Sequence, residues 1–393
     1  MEYYRGIDGH RDTGESDDRA APGALGRIRV VDFSRILAGP FATMMLADLG
    51  AEVTKIERPD GGDETRAWGP PFDERGAATY FEAVNRNKRS VAIDLRDPAG
   101  LAAARELIAG ADVLVENFRP GVMDRLGLGW QAATDLNPRL VYCSISGFGS
   151  GAGAELPGYD LLLQALGGLM SITGERDGEP QKVGVALVDV LAALFATTGI
   201  LAALHHRDSG DGRGQRVEID LLSSLLAALA NQGSAYTIAG AVPGRMGNAH
   251  PSIAPYELLE TGEGELVLAV GNDRQFAALC DLIGRPELRV DERFATNAAR
   301  VEARTELRAE LEAALADRPA RAWAEELTAR GVPAGTVNDV AAAFTLAAEL
   351  GLDPIVAVPR EDGTSTRLTR NPIGLSATPI TYRSAPPSRP AGA

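Results

Sequence analysis

Histidine and cysteine are scarce in this chain, and that scarcity narrows the chemistry before any motif is considered. There are four histidines in 393 residues: His10 in a charged leader, the neighbours His205 and His206, and His250. Adjacent residues on a helix point in different directions, so His205 and His206 cannot form a two-ligand metal face, and their position at a helix end suits charge complementation of the dipole. The two cysteines, Cys143 and Cys280, have neither a CxxC neighbour nor metal-ligand spacing. They read as buried reduced thiols in a cytoplasmic chain with no metal site. No GxSxG elbow is present for a serine triad, and no GxGxxG or Walker A loop follows a strand-like run. Positive charge is also in deficit. A formal net charge of -15 repels a phosphate backbone, so nucleic-acid binding is disfavoured and any polyanionic ligand depends on a local basic cluster. The opening residues lack the basic and apolar regions of a signal peptide, and no apolar run reads as both long and breaker-free enough to span a bilayer. A soluble chain with no membrane partner is expected.

What the chain does have is alanine, glycine, an apolar fraction of 45%, and length enough for two domains. Residues 1–24 have the composition of a disordered tail. From Leu25 the pattern is strand (RVVDF, from Arg29), turn (Ala38-Gly39-Pro40), helix closed by Gly50, and strand (EVTKIE), which is a βαβ unit. RSVAIDL, a helix from Pro98, ADVLVEN, short helices from Pro120 and Trp130, and RLVYCSIS continue it. This alternation predicts an α/β fold with an open, parallel, Rossmann-like sheet and helices on both faces. Ligands bind beyond the carboxyl ends of such strands, which here carry Ser34 to Ala38, Arg58, Asn117-Phe118 and Gly147 to Gly149. Arg58, Arg86, Lys88, Arg89, Arg96, Arg119 and Arg125 gather near those ends, either as seats for a phosphorylated ligand or as solvated surface charge. A Gly/Pro/Ala-rich passage at 233–255 leads to a smaller α+β unit with a strand at ELVLAV and helices at 273–282, 301–316 and 319–330; from Gly335 short strands and loops return. The expected division is 25–225 for the large domain, 226–334 for the small domain with its linkers, and 335–393 for a return to the large domain and a terminal tail.

The stretch from Val183 to Arg207 organises the rest. It reads as a short strand, VGVAL, running into a long apolar helix with Asp189 at the junction. A carboxylate there meets unpaired N–H groups and the positive end of the dipole, and such a residue commonly just caps its helix. The helix reads as a central one packed on most sides, so a charge at its mouth needs a partner or a task. With a histidine triad absent, carboxylates are the candidates for covalent chemistry.

The run VVDFSRILAGPFATMMLADLGAEVTKIERPDGGDETR, with NRNKRSVAIDL, ADVLVENFRPGVMDRLG and GRGQRVEIDL, resembles the family III CoA-transferases, the group of formyl-CoA transferase, carnitine CoA-transferase and alpha-methylacyl-CoA racemase. The resemblance extends from Leu25 to Tyr382. It implies that Asp189 is a nucleophile forming aspartyl anhydride and aspartyl-CoA thioester intermediates. It implies acyl-CoA and a small carboxylic acid as substrates, no metal, and two chains interlocked as a ring-like homodimer. By position it assigns CoA contacts to Ile36, Ala38, Arg58, Ile93, Arg96, Asn117, Phe118 and Arg125, and the substrate pocket to Leu37, Tyr159 and Asp160. Tyr159 stands where the racemase branch has a catalytic histidine, which disfavours racemization. Leu37 replaces the glutamine of formyl-CoA transferase, and GRMGNAHPS does not reproduce that enzyme's run of four glycines. Two rivals remain: a racemase-like isomerase using Asp189 with Glu260, and an inactive CoA-binding paralogue.

Overall fold

The computed structural model describes residues 23–390, so of the expected tail only Gly23 and Ala24 fall within the described residues. The first part of the chain forms β1 (Arg29–Asp32), α1 (Ala38–Asp48), β2 (Glu52–Glu57), α2 (Thr79–Glu82), β3 (Lys88–Ala92), α3 (Pro98–Ala109), β4 (Val113–Glu116), α4 (Val122–Arg125), α5 (Trp130–Leu136) and β5 (Val141–Ser146). It continues with α6 (Asp160–Leu166), α7 (Leu187–Ser209), β6 (Arg216–Asp220), α8 (Leu221–Ala228) and α9 (Ala230–Ala239). Six of the strands make one parallel sheet in the order β3-β2-β1-β4-β5-β6. The order reverses between β1 and β4, so a crevice opens beyond their carboxyl ends. The central strands β1, β4 and β5 are short, largely apolar runs because both faces are covered. Val30, Val113, Val141 and Cys143 face one buried cluster with α1, α7 and α8, while Val31, Leu114 and Tyr142 face another with α3 and α5. Ala42, Ala192, Ala193 and Ala196 are fully buried in the first cluster, and their small side chains let α1 and α7 lie close together.

A third buried cluster is separate from these. β7 (Tyr256–Glu260), β8 (Glu265–Ala269) and, after α10 (Asp273–Leu282), α11 (Asn297–Glu302), α12 (Arg304–Leu315) and α13 (Ala320–Ala329), β9 (Ala334–Thr336) form an antiparallel sheet with its own core. The chain then makes α14 (Val340–Glu349) and the hairpin β10 (Ile355–Pro359) and β11 (Ser365–Thr369). Its last described stretch packs on the first sheet's helices: Arg383 donates to the carbonyls of Ala47, Gly50 and Ala51, and Asn371 donates to Asp48.

Several expectations need correction. Val183 to Ala186 is not a strand, since no neighbour pairs with it; the Val183 N–H goes to the side chain of Gln164 instead. The expected turn at Ala38 to Pro40 is the first turn of α1, where a proline lacking its N–H costs no helical bond. The expected helix over 301–316 breaks at Ala303. Pro319 is the N-cap of α13, one place before the expected position. α14 lies where only strands and loops were expected; Asp339 caps it by accepting the Ala342 N–H. Finally, α7 is long and apolar enough to cross a membrane by length and composition. Its inner face is nonetheless buried against α1, while Leu194 and Phe195 on its outer face are exposed, so it is packed on fewer sides than expected.

Candidate active site

Two cavities meet at the crevice between β1 and β4. The larger, about 320 Å³, is lined by Arg35, Arg58, Asp63, Ile93, Arg96 and Phe118 among others. The smaller, about 90 Å³, is lined by Ala38, Asn117, Phe118, Gly147 to Gly149 and Asp189. Phe118 belongs to both linings, so the two cavities are neighbours with different surroundings. The loop after β5 closes against the rim at a glycine pair: a Cβ on Gly147 would come within 2.5 Å of the Gly158 backbone.

Asp189 is the third residue of α7, half-buried, and does not cap its helix. The N-cap is Ala186, which has no side-chain acceptor, and the free N–H groups of Val188 and Asp189 are met by Asp160 Oδ1 at 2.8 and 3.4 Å. Gln164, fully buried, donates from Nε2 to Asp160 Oδ2 at 2.7 Å and to the Val185 carbonyl at 3.3 Å, and accepts the Val183 N–H at 2.8 Å. Asp160 therefore caps α7 across space rather than its own helix α6. The consequence for Asp189 is a carboxyl group pushed up to about 7, chiefly by burial and secondly by the charge of Asp160. No cation partners it among the described residues. Near neutral pH this group is poised between acid and carboxylate.

The residues expected to contact CoA divide. Arg58, Ile93, Arg96 and Phe118 share the larger cavity; Ala38, Asn117 and Phe118 share the smaller one with Asp189. Arg58 pairs with Glu64 at 3.5 Å and Arg96 with Asp94 at 2.9 Å, both from exposed positions on the rim. Asn117 has its amide bonded to the main chain of Arg35. Arg125 is exposed and lines neither cavity. Leu37, Tyr159 and Asp160 are likewise absent from both linings; Tyr159 is 62% exposed and its neighbour Gly158 reaches the smaller cavity instead. Glu260 is in the antiparallel sheet, and none of the described cavities brings it to Asp189.

Two residues escaped the sequence reading. Tyr80 stands edge-on to Trp68 with ring centroids 5.3 Å apart, and burial, then the charges of Asp189 and Asp160, push its hydroxyl up to about 12. Gln164 holds the entry to α7. Neither forms part of a motif, and both act through residues remote in sequence, so no local signal marks them. Cys143 and Cys280 are buried free thiols.

Comparison with known proteins follows the same outline. Residues 25–391 match CoA-transferase family III. The succinate–glutarate CoA-transferase of Agrobacterium fabrum is 44% identical over 92% of each chain. The acetyl-CoA:oxalate CoA-transferase of Acetobacter aceti is 41% identical over 82% of this chain and 83% of its own. A CAIB/BAIF family protein from Brucella suis, known from its crystal structure, superposes with a TM-score of 0.82 at 43% identity, covering 93% of this chain and 96% of that one.

Proposed function

The chain belongs to CoA-transferase family III, and from that premise we propose that it exchanges CoA between small dicarboxylic acids, with succinyl-CoA as donor, through covalent intermediates on Asp189. That it is a CoA-transferase follows from the family and from relatives so named. The dicarboxylate class rests on relatives named for succinate, glutarate and oxalate. The observation that supports the role of Asp189 is its place: a carboxyl group with no cation partner among the described residues, raised to about 7, lining a cavity that shares Phe118 with the larger one.

The Asp189 carboxylate attacks the thioester carbonyl of the donor, the C–S bond breaks, and a mixed anhydride and CoA thiolate result. The thiolate attacks the aspartyl carbonyl of that anhydride, releasing the donor acid and leaving an aspartyl-CoA thioester. An acceptor carboxylate attacks this thioester, giving a second anhydride and thiolate. Attack of the thiolate on the acceptor carbonyl then yields the new acyl-CoA and restores Asp189. Each step trades one activated acyl for another, so the thioester's free energy is conserved. Partial burial keeps the nucleophile poorly hydrated and limits hydrolysis of the anhydrides.

A second copy of the chain completes the site in this reading. Leu161 and Leu166 of α6, Leu194 and Phe195 of α7, and Ile238 of α9 leave apolar side chains exposed in one chain. The loop Gly244 to His250 is tethered to its own chain, with Arg245 donating to the carbonyls of Glu175 at 3.1 Å and Gly178 at 2.9 Å. It lines a cavity without Asp189. In this reading it closes over the nucleophile of the other copy. Intact-protein mass spectrometry with an acyl-CoA panel and hydroxylamine trapping tests the chemistry: a wild-type adduct on Asp189, absent from Asp189→Ala, is expected, and CoA binding with no adduct from any donor refutes it. Sedimentation as a monomer would refute the dimer.

A further inference from the structure

Ile36 is a β-branched residue with φ of +71°, a left-handed conformation that such a side chain resists. It turns the chain between β1 and α1, between the linings of the two cavities: Arg35, just before it, lines the larger cavity, and Ala38, two residues after, lines the one with Asp189. Three consecutive residues of this turn are held from outside. The Ser34 carbonyl accepts from Lys55 Nζ at 2.8 Å. The Arg35 main chain is held at both ends by one side chain, its N–H donating to Asn117 Oδ1 at 2.8 Å and its carbonyl accepting from Asn117 Nδ2 at 2.7 Å. The Ile36 N–H points to the Asp63 carboxylate at 3.3 and 3.4 Å. Asp63 is itself fixed by Lys55 at 2.9 Å and by the Thr65 hydroxyl at 2.7 Å, and the Lys55 and Asp63 side chains are completely buried.

We infer that Asn117, Asp63 and Lys55 are positioning residues that together force Ile36 into its left-handed turn, and that this turn sets the register between the nucleotide end and the thioester end of the substrate. On this assignment Asn117 acts through the backbone of Arg35 rather than by touching CoA. Displacing the turn leaves Arg58, Ile93 and Arg96 of the larger cavity in place and misaligns the thioester with Asp189. The inference rests on the reaction proposed above for its catalytic readout only.

The test is a double-substitution cycle with Ile36→Gly, since glycine adopts a positive φ without strain and so makes the clamp unnecessary. Asn117→Ala alone is expected to lower kcat between about 10- and 100-fold, the cost of a misplaced reacting group, with binding of free CoA by calorimetry changed less than about threefold. Combined with Ile36→Gly, the further loss in kcat from Asn117→Ala should shrink to within about threefold. Equal losses in both backgrounds, no loss from Asn117→Ala, or a loss expressed wholly in CoA affinity would each overturn the inference. The same cycle is read in thermal unfolding, which needs no activity: Asn117→Ala should lower Tm more beside Ile36 than in the Ile36→Gly chain, and equal shifts count against the clamp. Absence of transfer activity in the wild type overturns the proposed reaction, and the Tm cycle then decides the clamp alone. Should Asn117→Ala not fold, Asn117→Asp, which keeps the acceptor and loses the donor, is put through the same cycle.

Discussion

Asp32, at the end of β1, and Asp189, at the mouth of α7, are the same residue type, and their surroundings drive them in opposite directions. Asp32 is fully buried, and burial alone would raise its pKa. Lys88 at 3.1 Å, Lys55, and the hydroxyls of Ser34 and Thr43 outweigh burial and hold its carboxyl below the usual range. Lys88, buried with it, is pulled down to about 8, chiefly by desolvation. Asp189 is less buried yet is raised to about 7, first by burial that no cation offsets and secondly by the charge of Asp160. The comparison teaches that burial raises a carboxyl group only where neighbouring cations and hydrogen-bond donors do not outweigh it. The Asp32 network lies under the Ser34–Ala38 turn, with Lys88 Nζ also donating to the Pro40 carbonyl, and serves as its platform. The α7 mouth leaves one carboxylate without a counter-ion, ready for chemistry.

The largest effect that would sharpen this contrast is on catalysis. Asp189→Ala should reduce transfer by about 10⁴-fold or more, the order seen when a nucleophile is removed, while Asp32→Asn should act mainly through folding. Comparable kcat losses in two well-folded variants would break the distinction. Next comes stability. Lys88→Met leaves Asp32 buried without its nearest cation and should cost about 3–5 kcal/mol in urea unfolding, because an orphaned buried charge is paid for in full. A cost near zero would show the platform to be solvent-screened.

The pH profile is third. In the proposed reaction the Asp189 carboxylate is the attacking form, so kcat/KM should fall about tenfold per unit as pH drops below about 7 and level off above it. Asp160→Asn should move that midpoint downward by removing a like charge, and a profile flat from pH 5 to 7 in the wild type would contradict the assignment. The smallest effect is the stability counterpart. A carboxyl raised from 3.8 to about 7 contributes stability below the unfolded value that is lost as pH rises through the folded one. At about 1.36 kcal/mol per unit the shift amounts to at most about 4 kcal/mol, and partial solvent access reduces this to roughly 1–2 kcal/mol. Asp189→Asn should therefore be more stable than wild type at pH 8 and nearly equal to it at pH 4, as read by Tm across pH; a destabilised variant at pH 8 would break the comparison.

Much of the fold was legible in the chain. Runs such as EVTKIE and VYCSIS, separated by helices with Asp97-Pro98 or Gly50 punctuation, carry their structure locally and predicted the parallel sheet. VGVAL misled because β-branched residues favour extended backbone anywhere, whereas a strand needs a neighbour, and the sheet edge beside β5 is taken by β6. In the site, Asp189 stood out as a charge opening an apolar helix. Leu37 and Tyr159 were assigned by position in motifs, and neither lines the described cavities.

The sequence by itself determined the order of strands and helices, the acidic balance, and which carboxylate begins the long apolar helix, since these depend on neighbours within a turn or two. Only the tertiary structure decided what that carboxylate experiences. Asp160 meets α7 from 28 residues away, and Asn117 grips Arg35 from 82 residues away. Hydrogen bonds and Coulomb interactions depend on distance in space and on the water between groups, and neither quantity is written along the chain.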